Sequence, residues 1–229
     1  MLRRQSLHAV AAGALMLTAS AVGLAAPSTA LAQTAATRTH GDVAAEAFVQ
    51  NEANRVLRIL NDHSLDMDAK KVAFRHIIDD VADVPRITSF VLGRYRRVIT
   101  PQQYSEFAAA FRTYAQNVYE SRLDEYHGQT MHVTGSMVRQ PGDVVVSAEV
   151  TGGGGQPAVV NWRVMRGADG RYRAVDVQVA GIWLAITEQQ DFVSTLDNHN
   201  GDINLLISQL KADGGKGTQI PRADRRERR

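Results

Sequence analysis

The hydrophobic period of this chain changes near Gly128, and that change limits the possible folds more than any other feature. After it, four segments alternate apolar and polar residues at a period of two, which predicts β-strands. The strands are expected at Thr130 to Arg139, Asp143 to Thr151, Ala158 to Arg166 and Arg171 to Val179. The turns between them are short, and such links join antiparallel neighbours. We therefore expect one four-stranded antiparallel meander.

Helical patterns flank the predicted sheet on both sides, with apolar residues at steps of three and four. Helices are expected at Asp42 to Leu60, Asp66 to Val81, Arg86 to Leu92, Thr100 to about Tyr126, Leu184 to Leu196 and Ile203 to Leu210. Thr100-Pro101-Gln102-Gln103 is the strongest boundary, because Thr100 can cap a helix whose Gln103 bonds back to it. Gly181 is expected to break the last strand. This order of elements predicts a single α+β domain.

The N-terminal segment has the pattern of an export signal. Arg3 and Arg4 precede an apolar run, and Ala30-Leu31-Ala32 places small residues where a signal peptidase cleaves. We expect residues 1–32 to be a signal peptide cleaved after Ala32, with a membrane anchor as the alternative. The paired arginines leave general secretion and twin-arginine export both open. The chain has no cysteine, which excludes a lipid-anchored cysteine, a disulfide scaffold and thiolate metal sites.

Charge is distributed unevenly along the chain. Residues 1–32 contain two arginines and no acid, which leaves 24 basic and 24 acidic residues in the mature chain. Residues 214–229 carry six basic and two acidic residues, so the body between is net acidic. The body therefore does not have the basic surface that nucleic-acid binding requires. We expect a flexible leader at 33–41, a folded domain at 42–213 and a disordered basic tail at 214–229.

A search for catalytic patterns yields little. The histidines lack metal-ligand spacing, and the G-x-S-x-G pattern of a nucleophile elbow is absent. Asp176 lies inside an apolar strand, where it could be a general base or could pair with an arginine. The candidate partners are Arg173, Arg163 or one of Arg94, Arg96 and Arg97. The Arg94 to Arg97 cluster could bind an anion or could lie along a helix end.

Several linked segments resemble the MlaC family of periplasmic phospholipid-binding proteins, the auxiliary components of toluene-tolerance ABC transporters. They are Val91-Leu92-Gly93-Arg94-Tyr95-Arg96-Arg97, Thr100-Pro101-Gln102-Gln103 leading to Phe107 and Phe111, Tyr119, Tyr126-His127-Gly128-Gln129, Val175-Asp176-Val177 through Gly181-Ile182, Asp191-Phe192, and Leu205 to Leu210. The resemblance spans roughly Val43 to Asp213. The chain departs from the family pattern at Arg96, Ala180, Trp183 and Thr187 to Gln189, and this last region resembles the branch encoded beside hopanoid-synthesis genes.

The resemblance implies a monomeric periplasmic carrier without a cofactor, which holds the acyl chains of a phospholipid or related lipid between sheet and helices. It also implies exchange with an inner-membrane ABC transporter complex and an outer-membrane lipoprotein, and transient membrane contact. The residues expected to contact lipid are Phe90, Tyr95, Phe107, Phe111, Tyr114, Val118, Trp162, Val164, Val177, Val179, Ile182 and Leu184.

Two other functions remain open on the sequence. Helices followed by a curved antiparallel sheet also describe ketosteroid-isomerase-like enzymes, in which Asp176 and a tyrosine such as Tyr95 or Tyr114 would act together. The third possible function is that of an adaptor, which would dock on an envelope complex without carrying a cargo.

Overall fold

The computed structural model describes residues 41–121 and 123–213. The expected signal peptide, residues 33–40 of the leader and the tail lie outside these residues. The helices are α1 (Val43–Leu60), α2 (Met67–Val81), α3 (Val84–Val91), α4 (Pro101–Glu120), α5 (Leu184–Asn198) and α6 (Ile203–Asp213), with 3₁₀ turns at Gly93–Arg97 and Leu123–Glu125. The strands are β1 (Thr130–Gln140), β2 (Asp143–Thr151), β3 (Ala158–Arg166), β4 (Tyr172–Val179) and β5 (Ile182–Trp183).

The helix starts follow from local side-chain chemistry. Asp42, Asp66 and Asp83 each accept a hydrogen bond from a backbone N–H in the first turn of the helix that follows. At α4 the predicted capping box is confirmed, since Gln103 N–H donates to Thr100 Oγ1 at 3.1 Å and Thr100 N–H donates to Gln103 Oε1 at 3.0 Å.

Helix α4 ends at Glu120, earlier than the predicted end near Tyr126. The Ser121 hydroxyl donates to the Val118 carbonyl at 2.8 Å, and such local bonds compete with continuation of a helix. The 3₁₀ turn Leu123–Glu125 then leads into the sheet.

The described strands form one antiparallel sheet in the order β1-β2-β3-β4-β5, which confirms the predicted meander and α+β class. The short strand β5 was not predicted. It forms because Ala180 and Gly181 have positive φ angles of 51° and 82°, the geometry of a two-residue hairpin turn. Gly181 therefore does not merely break β4, because with Ala180 it folds the chain back against that strand.

Two separate apolar cores hold the domain together. The sheet core joins Ala45 and Val49 of α1 to residues of β2, β3 and β4, including Val144, Val146 and Val164. The helical core joins α3, α4, α5 and α6 around Phe107, Phe111, Tyr114, Phe192, Leu196 and Leu206. In it Phe192 meets the rings of Phe107 and Phe111 edge-on, with centroids 5.9 and 6.0 Å apart.

Polar contacts fix α1 across the sheet. The Tyr172 hydroxyl donates to Asp42 Oδ2 at 2.6 Å, and the Ser136 hydroxyl donates to Glu46 Oε1 at 2.7 Å. Gln50 bonds β1 twice, donating to the Met131 carbonyl and accepting from Val133 N–H. Because these contacts span α1, the helix is held at a fixed position over the sheet.

No helix within the described residues combines the length and hydropathy needed to cross a bilayer.

We expect Ala180→Gly to stabilise the domain by about 1 kcal/mol, because glycine removes the Cβ penalty of a positive φ. Urea unfolding followed by circular dichroism measures this change. Gln178→Gly, in the interior of β4, is the control and should destabilise. A loss of stability in Ala180→Gly would show that the turn is not strained.

A second stability prediction concerns Asp143, which is 2% exposed and accepts hydrogen bonds from Arg163 Nε and an η nitrogen at 3.0 and 2.8 Å. The Arg163 bonds hold the pKa of Asp143 below its usual value of 3.8, although burial acts the other way. Its stabilising contribution is therefore present above that value and is lost as pH falls through the lowered folded-state pKa. We expect Asp143→Asn to cost about 1–3 kcal/mol at neutral pH, with a smaller difference from wild type in acid.

Asp169→Asn is the control for Asp143→Asn. Arg173 lowers the pKa of Asp169 to about 2, yet this ion pair lies at the surface, where water screens it. Thermal unfolding across the acid range should therefore show little change for Asp169→Asn. Equal effects of the two substitutions would contradict the importance of the buried pair.

Candidate ligand-binding cavity

A cavity of about 750 Å³ lies between the sheet core and the helical core. Its volume is in the upper part of the range of roughly 300–1,000 Å³ typical of small-molecule sites. Residues from all five described strands and from α1, α2, α3, α4 and α5 form its wall, and most of them are aliphatic or aromatic. The site is thus built from both the sheet and the helices.

The sheet contributes one wall through opposed residues of β3 and β4. Trp162 lies opposite Val177, and Val160 lies opposite Val179 in the strand register. All four side chains line the cavity. The facing wall comes from the C-terminal half of α4, where Phe111, Tyr114, Ala115, Val118 and Tyr119 recur at helical spacing.

Eight of the twelve residues predicted to contact lipid line this cavity: Phe111, Tyr114, Val118, Trp162, Val177, Val179, Ile182 and Leu184. The structure brings these together from α4, β3, β4, β5 and the start of α5. Contact of these residues with a lipid stays a prediction.

The other four predicted residues lie elsewhere. Phe107 is fully buried in the helical core and Val164 in the sheet core, so neither lines the cavity. Phe90 is partly exposed on α3, and Tyr95 packs against the helical core while its hydroxyl donates to Asp197 at 2.6 Å. None of these four residues is part of the cavity wall.

Helices α1 and α2 supply a wall that the sequence prediction did not include. Phe48, Val56, Leu60, Phe74 and Ile78 line the cavity from these helices. The apolar stripes of both helices are visible in the sequence and would be the signal for this wall. Periodicity alone does not tell whether such a stripe packs against protein or faces a cavity.

One part of the cavity wall is polar. The Tyr114 hydroxyl donates to Glu188 Oε1 at 3.1 Å. Tyr119 lies close enough to Asp176 and Glu188 to feel both charges, and burial, followed by these carboxylates, raises the pKa of Tyr119 to about 12. Its phenol therefore stays protonated near neutral pH. We call Tyr114, Tyr119, Asp176 and Glu188 the polar end of the cavity.

Asp176 belongs to this polar end and also caps α5. Its Oδ1 accepts hydrogen bonds from Val177 N–H and Ala185 N–H, both at 2.8 Å. Trp183, at the N-cap position, provides no side-chain cap, so Asp176 of β4 takes that role. Burial raises the pKa of Asp176 despite these bonds.

The sequence left open whether Asp176 is a general base or pairs with an arginine. Arg163 lies opposite Asp176 in the strand register and acts on it through its charge, but the hydrogen bonds of Arg163 go to Asp143 and those of Arg173 go to Asp169. The reason is geometric, because the first turn of α5 presents free N–H groups next to Asp176.

The arginine cluster after α3 has its own partners. Arg94 forms an ion pair with Asp197, and the Arg96 guanidinium lies 4.0 Å from the centroid of the Tyr104 ring. These contacts assign both arginines to local packing rather than to the cavity.

The described residues of the cavity wall include five acidic side chains and one basic side chain. They are Glu52, Asp79, Arg112, Glu125, Asp176 and Glu188. Arg112 is the single cation of this set and lies 2.5 Å from Asp79. Within the described residues no three histidine or acidic side chains are grouped so that they could hold a metal ion.

A family model described as MlaC protein matches residues 50–212, which is most of the chain. The chain belongs to the MlaC family. Among solved structures, the phospholipid-binding protein from Ralstonia solanacearum, determined with a bound phospholipid at 1.53 Å, has a TM-score of 0.66 and 24% identity. The match covers 74% of this chain and 96% of that protein. At this identity the likeness shows that the two share a fold.

The capping role of Asp176 predicts a loss of stability on its removal. We expect Asp176→Ala to lower the free energy of unfolding by about 1–3 kcal/mol, because two backbone N–H groups lose their acceptor. Asp176→Asn is the matched control, since its amide oxygen can still accept both bonds, and it should cost less. Chemical denaturation gives both values. Equal stability of wild type and Asp176→Ala would contradict the capping role.

Proposed function

We propose that this MlaC-family protein is a periplasmic lipid carrier that holds acyl chains in the cavity between sheet and helices. It exchanges the lipid with an inner-membrane ABC transporter complex and an outer-membrane partner. The observation that carries the proposal is the large apolar cavity. Family membership and the phospholipid bound by the Ralstonia solanacearum protein support it.

The energetics of the cavity favour a cargo. The wall of the cavity is mostly apolar, so water that enters it finds few of the polar partners that an ordered water needs. An apolar ligand would remove this apolar surface from water, which is favourable in proportion to the area covered.

Acyl chains fit this requirement. Each buried methylene contributes about 0.8 kcal/mol, so one chain in the cavity offsets much of its own transfer out of a bilayer. A bilayer buries the same methylenes, so the free energies of the chain in the cavity and in a membrane are nearly equal. A receiving partner can therefore determine the direction of transfer.

An isomerase-like enzyme is the less well supported alternative. Asp176, the candidate base, has Oδ1 committed to two backbone N–H groups, and Tyr95 bonds Asp197 rather than Asp176. We therefore assign Asp176 a structural role.

Three valines of β3 provide a matched test. Val160 lines the cavity, Val164 is fully buried in the sheet core, and Val159 is 60% exposed. We expect Val160→Glu to fold but to lose bound lipid, since a carboxylate beside a methylene chain must be desolvated. Val164→Glu should unfold, and Val159→Glu should retain both fold and lipid.

The readouts for this series are thermal unfolding and the lipid extracted per mole of protein purified from bacterial periplasm. Lipid retained in folded Val160→Glu would place the cargo elsewhere. A wild-type protein that carries no lipid and takes up none from vesicles would remove the carrier proposal itself.

A further inference from the structure

A second, smaller pocket adjoins the apolar cavity where α2 ends and α3 begins. Its volume is about 350 Å³, and its described wall is formed by Asp79, Ala82, Asp83, Val84, Pro85, Arg112 and Arg173. Four of these residues, Asp79, Ala82, Val84 and Arg112, also line the cavity. The two spaces are therefore neighbours, separated by no more than the side chains that they share.

The two spaces differ in chemistry. Most of the cavity wall is aliphatic or aromatic, whereas four of the seven residues of the small pocket are charged. These four are Asp79 of α2, Asp83 at the N-cap of α3, Arg112 of α4 and Arg173 of β4. An apolar cavity beside a charged pocket matches the two parts of an amphiphile, with the chains in one space and the polar group in the other.

The arginines of the small pocket keep donors available for a ligand. One η nitrogen of Arg112 lies 2.5 Å from Asp79, and both η nitrogens of Arg173 donate to Asp169 at 3.1 and 2.6 Å. A guanidinium has five N–H donors in a planar fork, so neither arginine is saturated by these bonds. The Arg112 side chain is 50% exposed and that of Arg173 is 32% exposed. A ligand can therefore reach both without first being stripped of water.

The balance of charge indicates what kind of polar group fits. Two aspartates and two arginines line the pocket, and the groups bonded to Asp83 and Arg173 from outside it are Arg86 and Asp169, one of each sign. A group that carries both a phosphate and an ammonium leaves this balance unchanged, because each of its charges meets an opposite one. An anionic group would instead add a negative charge beside two carboxylates.

We propose that the small pocket is a headgroup site for a zwitterionic phospholipid. Arg112 and Arg173 bind the phosphate, Asp79 and Asp83 bind the ammonium, and the acyl chains lie in the neighbouring cavity. This inference rests on the proposed carrier function and names the class of lipid that the same site prefers.

The test offers the protein three lipids with identical acyl chains: phosphatidylethanolamine, which is zwitterionic, phosphatidylglycerol, which is anionic, and diacylglycerol, which lacks the phosphate. Delipidated protein is mixed with equal amounts of the three in micelles of a neutral detergent, and native mass spectrometry counts each bound lipid by its mass. We expect phosphatidylethanolamine to exceed each of the others about two- to fivefold, the range that partly exposed ion pairs contribute.

Two variants with matched controls assign the preference to the pocket. Arg173→Gln should lower the ratio of phosphatidylethanolamine to diacylglycerol, because the phosphate loses a partner. Asp79→Asn should lower the ratio of phosphatidylethanolamine to phosphatidylglycerol, because the ammonium loses a partner and the anionic lipid loses a repulsion. Arg171→Gln and Asp80→Asn are the controls, since both residues lie close by in the chain but line neither space, and they should leave both ratios unchanged.

The outcomes separate this proposal from the carrier function. Equal binding of the three lipids, a preference for phosphatidylglycerol, or equal shifts in the pocket variants and their controls would overturn the headgroup site and leave the carrier standing. Should Arg173→Gln fail to fold, Arg112→Gln makes the same test. Displacement of bound lipid by phosphoethanolamine without chains would also overturn the proposal, because the pocket would then serve a soluble phosphate ester. No binding of any lipid would remove the carrier function and the headgroup site with it.

Discussion

The structure depends on the contact between Asp176 and the first turn of α5. This carboxylate leaves β4 and accepts N–H groups from its own strand and from Ala185, so it joins the sheet to the helical layer. The hairpin at Ala180 and Gly181 makes the contact possible by returning the chain as β5 directly before the helix. Since α5 also contributes Phe192 and Leu196 to the helical core, this contact ties that core to the sheet.

The distance between the layers is what creates the cavity. Each layer has its own packed core, so neither needs the other to bury its largest side chains. Helices α1 and α2 and the C-terminal half of α4 surround the remaining space, and the polar contacts of Asp42, Glu46 and Gln50 hold α1 against the sheet. A domain with one continuous core would collapse into such a space, because close packing is the stable state of an interior. Two cores tied at few points allow the cavity to persist.

The sequence predicts the elements well and the cavity only in part, for a physical reason. The hydrophobic period of a segment indicates which of its faces is apolar, and turn residues indicate where it ends. Together they predict four of the strands and all six helices. They do not report where along that face packing gives way to open space. On α4, Phe107 lies in the helical core while Phe111 and Val118 reach the cavity. On β3, Val164 pairs with Ala174 in the sheet core while Trp162 pairs with Val177 in the cavity wall, and a bulge separates the two pairs. Such a bulge leaves no clear mark in the alternation of apolar residues.

A carrier must also release what it binds, and the composition of the cavity wall bears on this requirement. If the wall were wholly apolar, every lipid of suitable length would be held by its methylenes alone, with no discrimination among polar groups. Polar groups add little net free energy when they are satisfied, but they penalise a ligand that leaves them unsatisfied. The Trp162 N–H, which makes no hydrogen bond among the described residues, is a group of this kind in the cavity wall. Because most of the wall is apolar, the methylenes of a cargo would supply most of its binding free energy, and a receiving membrane or partner would need to compete mainly with the chains.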